Sequence, residues 1–190
     1  MNFDEPLLLD PLKSVHLIGV GGAGMSALAG ILAERGFTVS GSDNRDSPVL
    51  ERLRRLGVRV QVGQRPEGAA GADQVVISQA IRPENPELAA AIARGQPIYH
   101  RSQLLAALLA DMRRVAITGT HGKSTTTAML GWVLTQCGQD PTVIVGGDAP
   151  GLPGGNYRLG KDPLAVFEAC ESDGSFLRYR PHAALITNVE

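Results

Sequence analysis

The sequence predicts an α/β protein built around parallel sheets. Short apolar runs rich in β-branched residues alternate with stretches of helical spacing along the chain, and strands that alternate with helices at this pitch form βαβ units. Two of the apolar runs end in glycines and lead directly into a helical stretch, within residues 17–30 and 115–130. We therefore expect two layered units in tandem.

Residues 1–112 are predicted to form the first unit. Its strands are predicted from apolar and β-branched runs, and its helices from alanine- or leucine-rich stretches of helical spacing. In chain order the elements are strand 15–20, helix 23–35, strand 37–43, helix 46–56, strand 58–63, strand 74–80, helix 84–94 and strand 97–100.

Residues 113–190 are predicted to form the second unit. It begins with the strand VAITG and a long helix that runs to about Cys137, and further apolar strands are expected at 142–147, 164–169 and 183–189. The segment 146–160 is rich in glycine and proline, which predicts a mobile loop. A doubly wound domain of about 78 residues would be small, so we expect this unit to be incomplete.

Composition limits the class of protein. Hydrophobic residues make up 43% of the 190, enough for a packed core. Lysine and arginine number 18 against 19 aspartates and glutamates, so the sequence does not favour a nucleic-acid or membrane-surface binder. Cys137 and Cys170 lack zinc-site spacing. The apolar stretch 104–110 is too short to span a bilayer and the N-terminus does not resemble a signal peptide, so we expect a soluble cytoplasmic protein without membrane insertion.

The first glycine-rich loop has the spacing of a pyrophosphate-binding turn. Gly19, Gly21 and Gly24 form G-x-G-x-x-G between a strand and a helix. These glycines permit a tight turn, close approach of a pyrophosphate and close packing, and the helix N-terminus presents unpaired N–H groups. Asp43 ends the next strand, where a carboxylate can accept hydrogen bonds from ribose hydroxyls. The alternative role for Asp43 is in a turn or a helix cap.

The second loop predicts a site for a nucleoside triphosphate. Residues 119–125 read GTHGKST at the start of a helix. Lys123 can reach the β- and γ-phosphates, backbone N–H groups can cradle them, and Ser124 can hold Mg²⁺. The usual pattern has a glycine where this chain has Ile117, which predicts a tighter loop. The alternative is a glycine turn followed by a solvated lysine.

An acidic partner for the metal is expected at a neighbouring strand end. Glu168, Glu171 and Asp173 lie at or just after the apolar run 164–169, and a carboxylate there could take a Mg²⁺ that bridges phosphate oxygens. A solvated acidic turn is the alternative, more plausible for Asp173 than for Glu171. Of the histidines, His16 is expected to be structural, whereas His100 could contact an anion or cap the next helix.

Five sequence motifs together resemble one enzyme family. They are IGVGGAGMS (18–26), SGSD (40–43), GTHGKSTTT (119–127), YRLG (157–160) and EACESDGSFL followed by ITNVE (168–190). The pattern is similar to that of the Mur ligases, the ATP-dependent enzymes that build the peptide stem of peptidoglycan. The resemblance covers nearly the whole chain. It implies a Rossmann-like N-terminal domain followed by the first part of a P-loop-type ATP-binding domain.

The resemblance implies two nucleotide sites. Residues 1–112 would bind UDP-N-acetylmuramate, and residues 113–190 would bind ATP. The implied contacts to the nucleotide sugar are Gly21, Gly22, Ala23, Gly24, Met25, Ser26, Asp43, Ser78 and Arg101. The implied contacts to ATP are Gly119, Thr120, His121, Gly122, Lys123, Ser124 and Thr125.

The resemblance also implies a reaction. The lactyl carboxylate of the sugar would attack the γ-phosphate of ATP, and the amine of L-alanine would displace phosphate from the resulting acyl phosphate. Lys123 and Glu171 are the implied catalytic residues, and Ser124 and Glu171 would hold Mg²⁺. Cys170 stands where the family usually has aspartate, which lowers the charge beside Glu171. Ser124 replaces a more frequent threonine and keeps the hydroxyl.

Three other interpretations stay open. A ligase of the same family that recycles murein tripeptide shares the second loop, although its first loop typically departs from GVGGAGMS. An NAD-dependent oxidoreductase would use the loop Gly19–Gly24 and Asp43 but leaves the lysine loop at 119–125 unexplained. A non-catalytic nucleotide-binding module is the third. The family continues beyond the equivalent of Glu190, so we expect a ligase of which these 190 residues alone do not form the amide bond. The sequence does not predict an oligomeric state.

Overall fold

The computed structural model describes residues 6–170 and 174–189. The chain divides into two compact units, Met1–Ala107 and Leu108–Glu190. Each unit contains a five-stranded sheet. The predicted α/β fold class is confirmed.

The first unit is built on a parallel sheet with the strand order β3-β2-β1-β4-β5. Because the order reverses between β1 and β4, the loops after these strands diverge and leave a crevice at the carboxyl edge, where ligands bind in open α/β sheets. The strands are β1 Val15–Ile18, β2 Val39–Asp43, β3 Arg59–Val62, β4 Gln74–Ile77 and β5 Ile98–His100.

Local capping explains where two helices of the first unit begin. The Ser47 hydroxyl accepts a hydrogen bond from the Leu50 N–H, and Asn85 accepts from two N–H groups of the helix that follows it. Each cap precedes a proline, which suits the first helical position because it needs no N–H partner. The helices are α1 Ala23–Glu34, α2 Pro48–Arg55, α3 Pro86–Ala93 and α4 Arg101–Leu108.

Strand β1 lies at the centre of the first sheet and all four of its residues are buried. His16 is the polar member of this strand. Its Nε2 lies 2.8 Å from Glu87 Oε1, and its Nδ1 lies 2.9 Å from the Ser40 hydroxyl. Both ring nitrogens thus lie close to a polar atom in the interior, in agreement with the structural role expected for His16.

The second unit has the strand order β10-β6-β9-β7-β8. Its strands pair in parallel except β8, which runs antiparallel to β7. The strands are β6 Arg113–Thr118, β7 Thr142–Ile144, β8 Tyr157–Arg158, β9 Leu164–Glu168 and β10 Ala183–Ile186. The helices are α5 Lys123–Gln136 and a 3-10 helix at Ser175–Arg178.

Strand β8 departs from the sequence prediction. It lies inside the segment 146–160, which was predicted to be a loop, and it places Asn156 and Tyr157 in the interior. The strand has only two residues, and Gly155 and Gly160 each lie two positions beyond its ends. Its pairing with β7 across a long loop has no local sequence signal, because β pairing depends on tertiary context.

Across residues 6–170 and 174–189, every helix is too short or too polar to cross a bilayer.

Candidate functional site

The first glycine-rich loop connects β1 to α1 and is tied to the end of β2. The N–H groups of Gly19 and Val20 both donate to the Ser42 carbonyl, at 2.8 and 2.9 Å. Gly19 has a φ of +79°, a conformation that glycine adopts without steric penalty. Helix α1 begins after Gly22 with no side-chain cap from the described residues. Its first turn can therefore direct backbone N–H groups at an anion.

Asp43 reaches this loop from the end of β2. Its Oδ2 accepts a hydrogen bond of 2.9 Å from the Gly21 N–H. A Cβ atom on Gly21 would lie only 2.8 Å from that oxygen, so the approach requires glycine at this position. The structure thus brings the loop and the predicted ribose-binding carboxylate together. The turn contact of Asp43, from the Arg45 N–H to Oδ1, is long at 3.5 Å.

Arg101 and Ser78 lie at the carboxyl edge of the same sheet. Arg101 directly follows β5, and its Nη1 lies 3.4 Å from the position that a Cβ on Gly24 would take. Ser78 directly follows β4, is half-buried, and its carbonyl accepts from the Ile81 N–H at 3.1 Å. The predicted substrate contacts therefore come from the ends of four neighbouring strands.

Two residues of the predicted substrate set point inward. The side chains of Met25 and Ser26 are buried, and the Ser26 hydroxyl donates to the Ala23 carbonyl at 3.0 Å. Gly22 is exposed, while Ala23 is half-buried. Met25 and Ser26 thus shape the start of α1, and the exposed surface of the loop is backbone.

His100 lies beside this edge and helps to begin α4. Its Nδ1 lies 2.8 Å from the Ser102 hydroxyl, and its N–H donates to Gln103 Oε1 at 2.6 Å. These contacts to the first turn of α4 support the capping role among the two roles that the sequence left open.

The second loop connects β6 to α5, and the side chain of Lys123 folds back onto the backbone of the loop. Lys123 Nζ donates to the carbonyls of Gly119 and Thr120, at 2.5 and 3.2 Å. Gly119 and Gly122 have positive φ angles of 126° and 81°. Gly122 precedes α5 without a side-chain cap from the described residues. The loop therefore presents an ammonium group and uncapped N–H groups at one point, which suits a polyphosphate.

The other predicted ATP contacts surround the start of α5. Thr120, His121, Gly122 and Thr125 are exposed, and Ser124 is half-buried. The loop is thus open to solvent on the side that would face a ligand.

The end of strand β10 supports this loop through two residues that the sequence analysis did not assign. The Thr187 hydroxyl donates to the His121 carbonyl at 2.6 Å, and Asn188 Oδ1 accepts from the His121 N–H at 2.9 Å. A Cβ on Gly119 would collide with the Thr187 hydroxyl and the Asn188 backbone. Both residues belong to the motif ITNVE. This motif contributed to the family resemblance, but the sequence did not place it beside the loop.

A carboxylate lies beside the serine of the loop. Glu168, the last residue of β9, accepts a hydrogen bond of 2.8 Å from Ser124 Oγ. The same oxygen, Oε2, accepts from the Gly146 N–H at 2.8 Å. Glu171 and Asp173 lie outside the described residues, so of the three predicted acidic candidates Glu168 is the one whose contacts the structure gives.

The Ser124 hydroxyl oxygen fits a magnesium site in which the protein supplies only one or two ligands. Among the described residues, no three histidine, cysteine, aspartate or glutamate side chains gather into a metal-binding group. Mg²⁺ in nucleotide sites needs only one or two protein oxygens, since phosphates and water complete its coordination. The Ser124 hydroxyl, which donates to the Glu168 carboxylate, can supply one such oxygen.

Comparison with known proteins then identifies the family. The family model described as "Mur ligase family, catalytic domain" matches residues 14–113, more than half of the chain. This chain belongs to the Mur ligase family. The predicted family membership is confirmed.

Individual Mur ligases match most of the chain. UDP-N-acetylmuramate–L-alanine ligase of Synechococcus sp. (strain JA-2-3B'a(2-13)) is 51% identical over 189 residues, which cover 97% of this chain and 39% of that protein. The enzyme of the same name from Sorangium cellulosum is 51% identical over 179 residues, covering 94% of this chain and 38% of that protein. The chain thus spans about two fifths of the length of these relatives.

Solved structures of Mur ligases share the fold. UDP-N-acetylmuramate–alanine ligase from Thermotoga maritima superposes with a TM-score of 0.88 at 35% identity, covering 94% of this chain and 42% of that one. UDP-N-acetylmuramate:L-alanyl-γ-D-glutamyl-meso-diaminopimelate ligase from Neisseria meningitidis has a TM-score of 0.85 at 32% identity, covering 94% and 61%.

Proposed function

We propose that the protein carrying this chain is an ATP-dependent ligase that joins L-alanine to the lactyl carboxylate of UDP-N-acetylmuramate, in the synthesis of peptidoglycan precursors. The observation that carries the proposal is the presence of two differently built phosphate loops in one Mur ligase chain. In the first loop, the Gly21 N–H donates to Asp43, and the second loop contains Lys123 and Ser124. Relatives about half identical to the chain bear the name of this activity.

In this proposal, residues 1–112 bind UDP-N-acetylmuramate. The backbone of Gly21 to Gly24 and the N-terminus of α1 face the pyrophosphate. Arg101, whose guanidinium lies beside Gly24, adds a positive charge for that anion. Asp43 accepts hydrogen bonds from the ribose hydroxyls, and Ser78 contributes from the end of β4.

Residues 113–190 bind ATP in this proposal. Backbone N–H groups of the second loop cradle the phosphates, and Lys123 moves from the loop carbonyls to the β- and γ-phosphates. Its ammonium stabilises the charge that develops as the γ-phosphoryl group is transferred to the lactyl carboxylate, its bond to the bridging oxygen of the β-phosphate breaks, and ADP leaves. Ser124 would hold one Mg²⁺ ion and Glu171 a second, and these ions would neutralise phosphate charge when bound.

The second half-reaction forms the amide. The amine of L-alanine attacks the acyl carbon, the bond from that carbon to the phosphate oxygen breaks, and inorganic phosphate leaves. Catalysis consists mainly of positioning and electrostatic stabilisation, as in phosphoryl transfer generally. We place this reaction in the cytoplasm, where ATP and nucleotide sugars are available.

The ligase that recycles murein tripeptide is the second candidate, because a structure of that activity shares the fold with a TM-score of 0.85. Its identity to this chain is 32%, against 51% for the L-alanine ligase from Synechococcus. We therefore favour L-alanine as the amino substrate.

The test is phosphate release by the complete gene product, supplied with UDP-N-acetylmuramate, ATP and Mg²⁺. We expect release with L-alanine that exceeds release with murein tripeptide by at least about tenfold, with a UDP-sugar–alanine product in the mass spectrum. Faster release with the tripeptide would assign the recycling activity. Reduction of NAD by any component, without phosphate release, would overturn the ligase proposal.

A further inference from the structure

Glu168 joins two segments that converge beside the second loop. Its Oε2 atom accepts both from Ser124 Oγ and from the Gly146 N–H, each at 2.8 Å. Ser124 lies in the first turn of α5, and Gly146 lies two residues after the end of β7. One carboxylate oxygen thus fixes the serine hydroxyl to the neighbouring strand.

The backbone of Gly146 packs closely against this carboxylate. A Cβ on Gly146 would lie 2.9 Å from Oε2 and 3.0 Å from Oε1 of Glu168, so glycine at 146 allows the carboxylate to approach the backbone. The Glu168 side chain is only half-buried. Its Oε1 atom makes no hydrogen bond to any residue within 6–170 or 174–189.

We propose that Glu168 is a positioning residue that orients the Ser124 hydroxyl toward the divalent cation of bound nucleotide, an inference that rests on the proposed ATP site. A hydroxyl that donates its proton to a carboxylate keeps its oxygen lone pairs free for a metal. The negative charge also makes that oxygen a better ligand, as carboxylates behind metal-bound side chains do. Glu168 acts through Ser124 and does not bind the cation itself.

A positioning role for Glu168 predicts a different experimental result from two simpler roles. A carboxylate that only fastened β9 to Gly146 would affect stability, with no dependence on Ser124. A carboxylate that bound the cation directly would contribute whether or not the serine was present. A residue that acts through Ser124 loses its effect on the metal when the serine hydroxyl is removed, which a double-mutant cycle detects.

The experiment measures Mn²⁺ affinity by electron paramagnetic resonance, using the complete gene product with the non-hydrolysable analogue AMP-PNP. The variants are Ser124→Ala, Glu168→Ala, Glu168→Gln and the double variant Ser124→Ala with Glu168→Ala. Asp111→Asn removes one exposed charge elsewhere in the second unit and serves as the control. Affinity for AMP-PNP without metal is measured in parallel for each protein.

We expect Glu168→Ala to weaken Mn²⁺ binding by about 10- to 100-fold and metal-free nucleotide binding by less than about twofold. The double variant should bind Mn²⁺ no more weakly than Ser124→Ala alone. Glu168→Gln should fall between wild type and Glu168→Ala, because an amide oxygen still accepts the hydrogen bonds without the charge. Asp111→Asn should match wild type.

Additive losses in the double variant, or equal losses with and without metal, would overturn the positioning role and leave the ATP site intact. If Glu168→Ala does not fold, an unchanged Mn²⁺ affinity in Glu168→Gln would overturn it instead. If wild type binds neither AMP-PNP nor its Mn²⁺ complex, the proposed ATP site itself fails, and this inference fails with it.

Discussion

The two glycine-rich loops occupy equivalent positions between a strand and a helix, but side chains of opposite charge contact them. Both follow an inner strand of a sheet and lead into a helix without a side-chain cap from the described residues. In the first, a carboxylate from the next strand accepts from the loop N–H of Gly21. In the second, the Lys123 ammonium donates to the loop carbonyls.

In the proposed function, the side chain that contacts each loop decides which ligand the loop binds. Asp43 places a negative charge at the first loop, which suits ribose hydroxyls beside a pyrophosphate that the backbone holds. Lys123 places a positive charge at the second, which suits a triphosphate whose terminal group must be transferred. Each loop should therefore respond to its own substitutions and to its own ligand.

The largest effect is expected from Lys123→Ala. Loss of the ammonium should lower ligase activity of the complete gene product by about 10²- to 10³-fold, the size of effect seen when one preorganised charge-stabilising group is removed. Affinity for UDP-N-acetylmuramate should not change. Lys161→Ala is the matched control, because Lys161 is exposed and lies in the same unit. Equal losses in the two variants, measured by phosphate release, would contradict a specific role for Lys123.

A smaller effect is expected on the stability of the second loop. Gly119→Ala adds a Cβ that meets the Thr187 hydroxyl and the Asn188 backbone at a φ of +126°, so it should cost about 2–5 kcal/mol of unfolding free energy. Gly122→Ala meets no atom within 4 Å and has a φ of +81°, so only backbone strain of about 1–2 kcal/mol applies. Urea unfolding measures both. A reversed order would contradict the support of this loop by β10.

The corresponding pair in the first loop is Gly21→Ala and Gly22→Ala. A Cβ on Gly21 would displace Asp43, so we expect a loss of about 1–3 kcal/mol in stability together with weaker binding of the UDP-sugar. A Cβ on Gly22 lies 3.4 Å from its nearest atom, the Gly19 carbonyl oxygen, and should cost less than about 1 kcal/mol. Isothermal titration with UDP-N-acetylmuramate separates the pair. Equal affinities would show that Asp43 does not hold this loop for the ligand.

The smallest effect is expected on stability in acid. One carboxylate from each unit, Asp140 and Asp73, can be compared. The hydrogen bond from Arg158, then that from the Lys161 N–H, holds the pKa of Asp140 below its usual range. In the first unit, the N–H and hydroxyl of Ser14 lower the pKa of Asp73. Because the folded-state pKa is depressed in both cases, the stabilisation is complete above the unfolded-state pKa of about 4 and is lost as pH falls through the folded-state pKa.

In Asp140→Asn, the urea concentration at the midpoint of unfolding of the second unit should therefore fall less steeply with pH below about pH 4. Asp73→Asn should have the same effect on the first unit. The midpoint at pH 7 should fall only slightly in each variant, since both carboxylates are near the surface. An unchanged acid profile in Asp140→Asn would show that its ion pair with Arg158 contributes no pH dependence.

Local patterns predicted the sheets and both loops. Strands such as Val15–Ile18 and Leu164–Glu168 are buried apolar runs, and the glycines of both loops stand where backbone conformation requires them. These features are encoded by neighbouring residues, so a single sequence reveals them.

The partners of the loops were harder to predict, because tertiary pairing positions them. Thr187 and Asn188 reach the second loop only because β10 pairs with β6, and Glu168 reaches Ser124 only because β9 does. The sequence placed three acids near this strand end, and the family resemblance favoured Glu171, whereas the acid whose contact with Ser124 the structure gives is Glu168. For Asp43, by contrast, a known spacing associates the end of the second strand with the glycine-rich loop, and the structure places its carboxylate beside Gly21.

The most direct test of the account is thermal unfolding of three proteins, wild type, Asp43→Asn and Lys123→Ala, each with UDP-N-acetylmuramate, Mg²⁺–ATP or NADH. A ligand at one hundred times its dissociation constant should add about 2.7 kcal/mol of stability. We expect the UDP-sugar to stabilise wild type and Lys123→Ala but to lose most of its effect on Asp43→Asn. Mg²⁺–ATP should stabilise wild type and Asp43→Asn but not Lys123→Ala, and NADH should stabilise none. Stabilisation by NADH, or loss of both ligand responses in a single variant, would contradict two separate and differently built nucleotide sites.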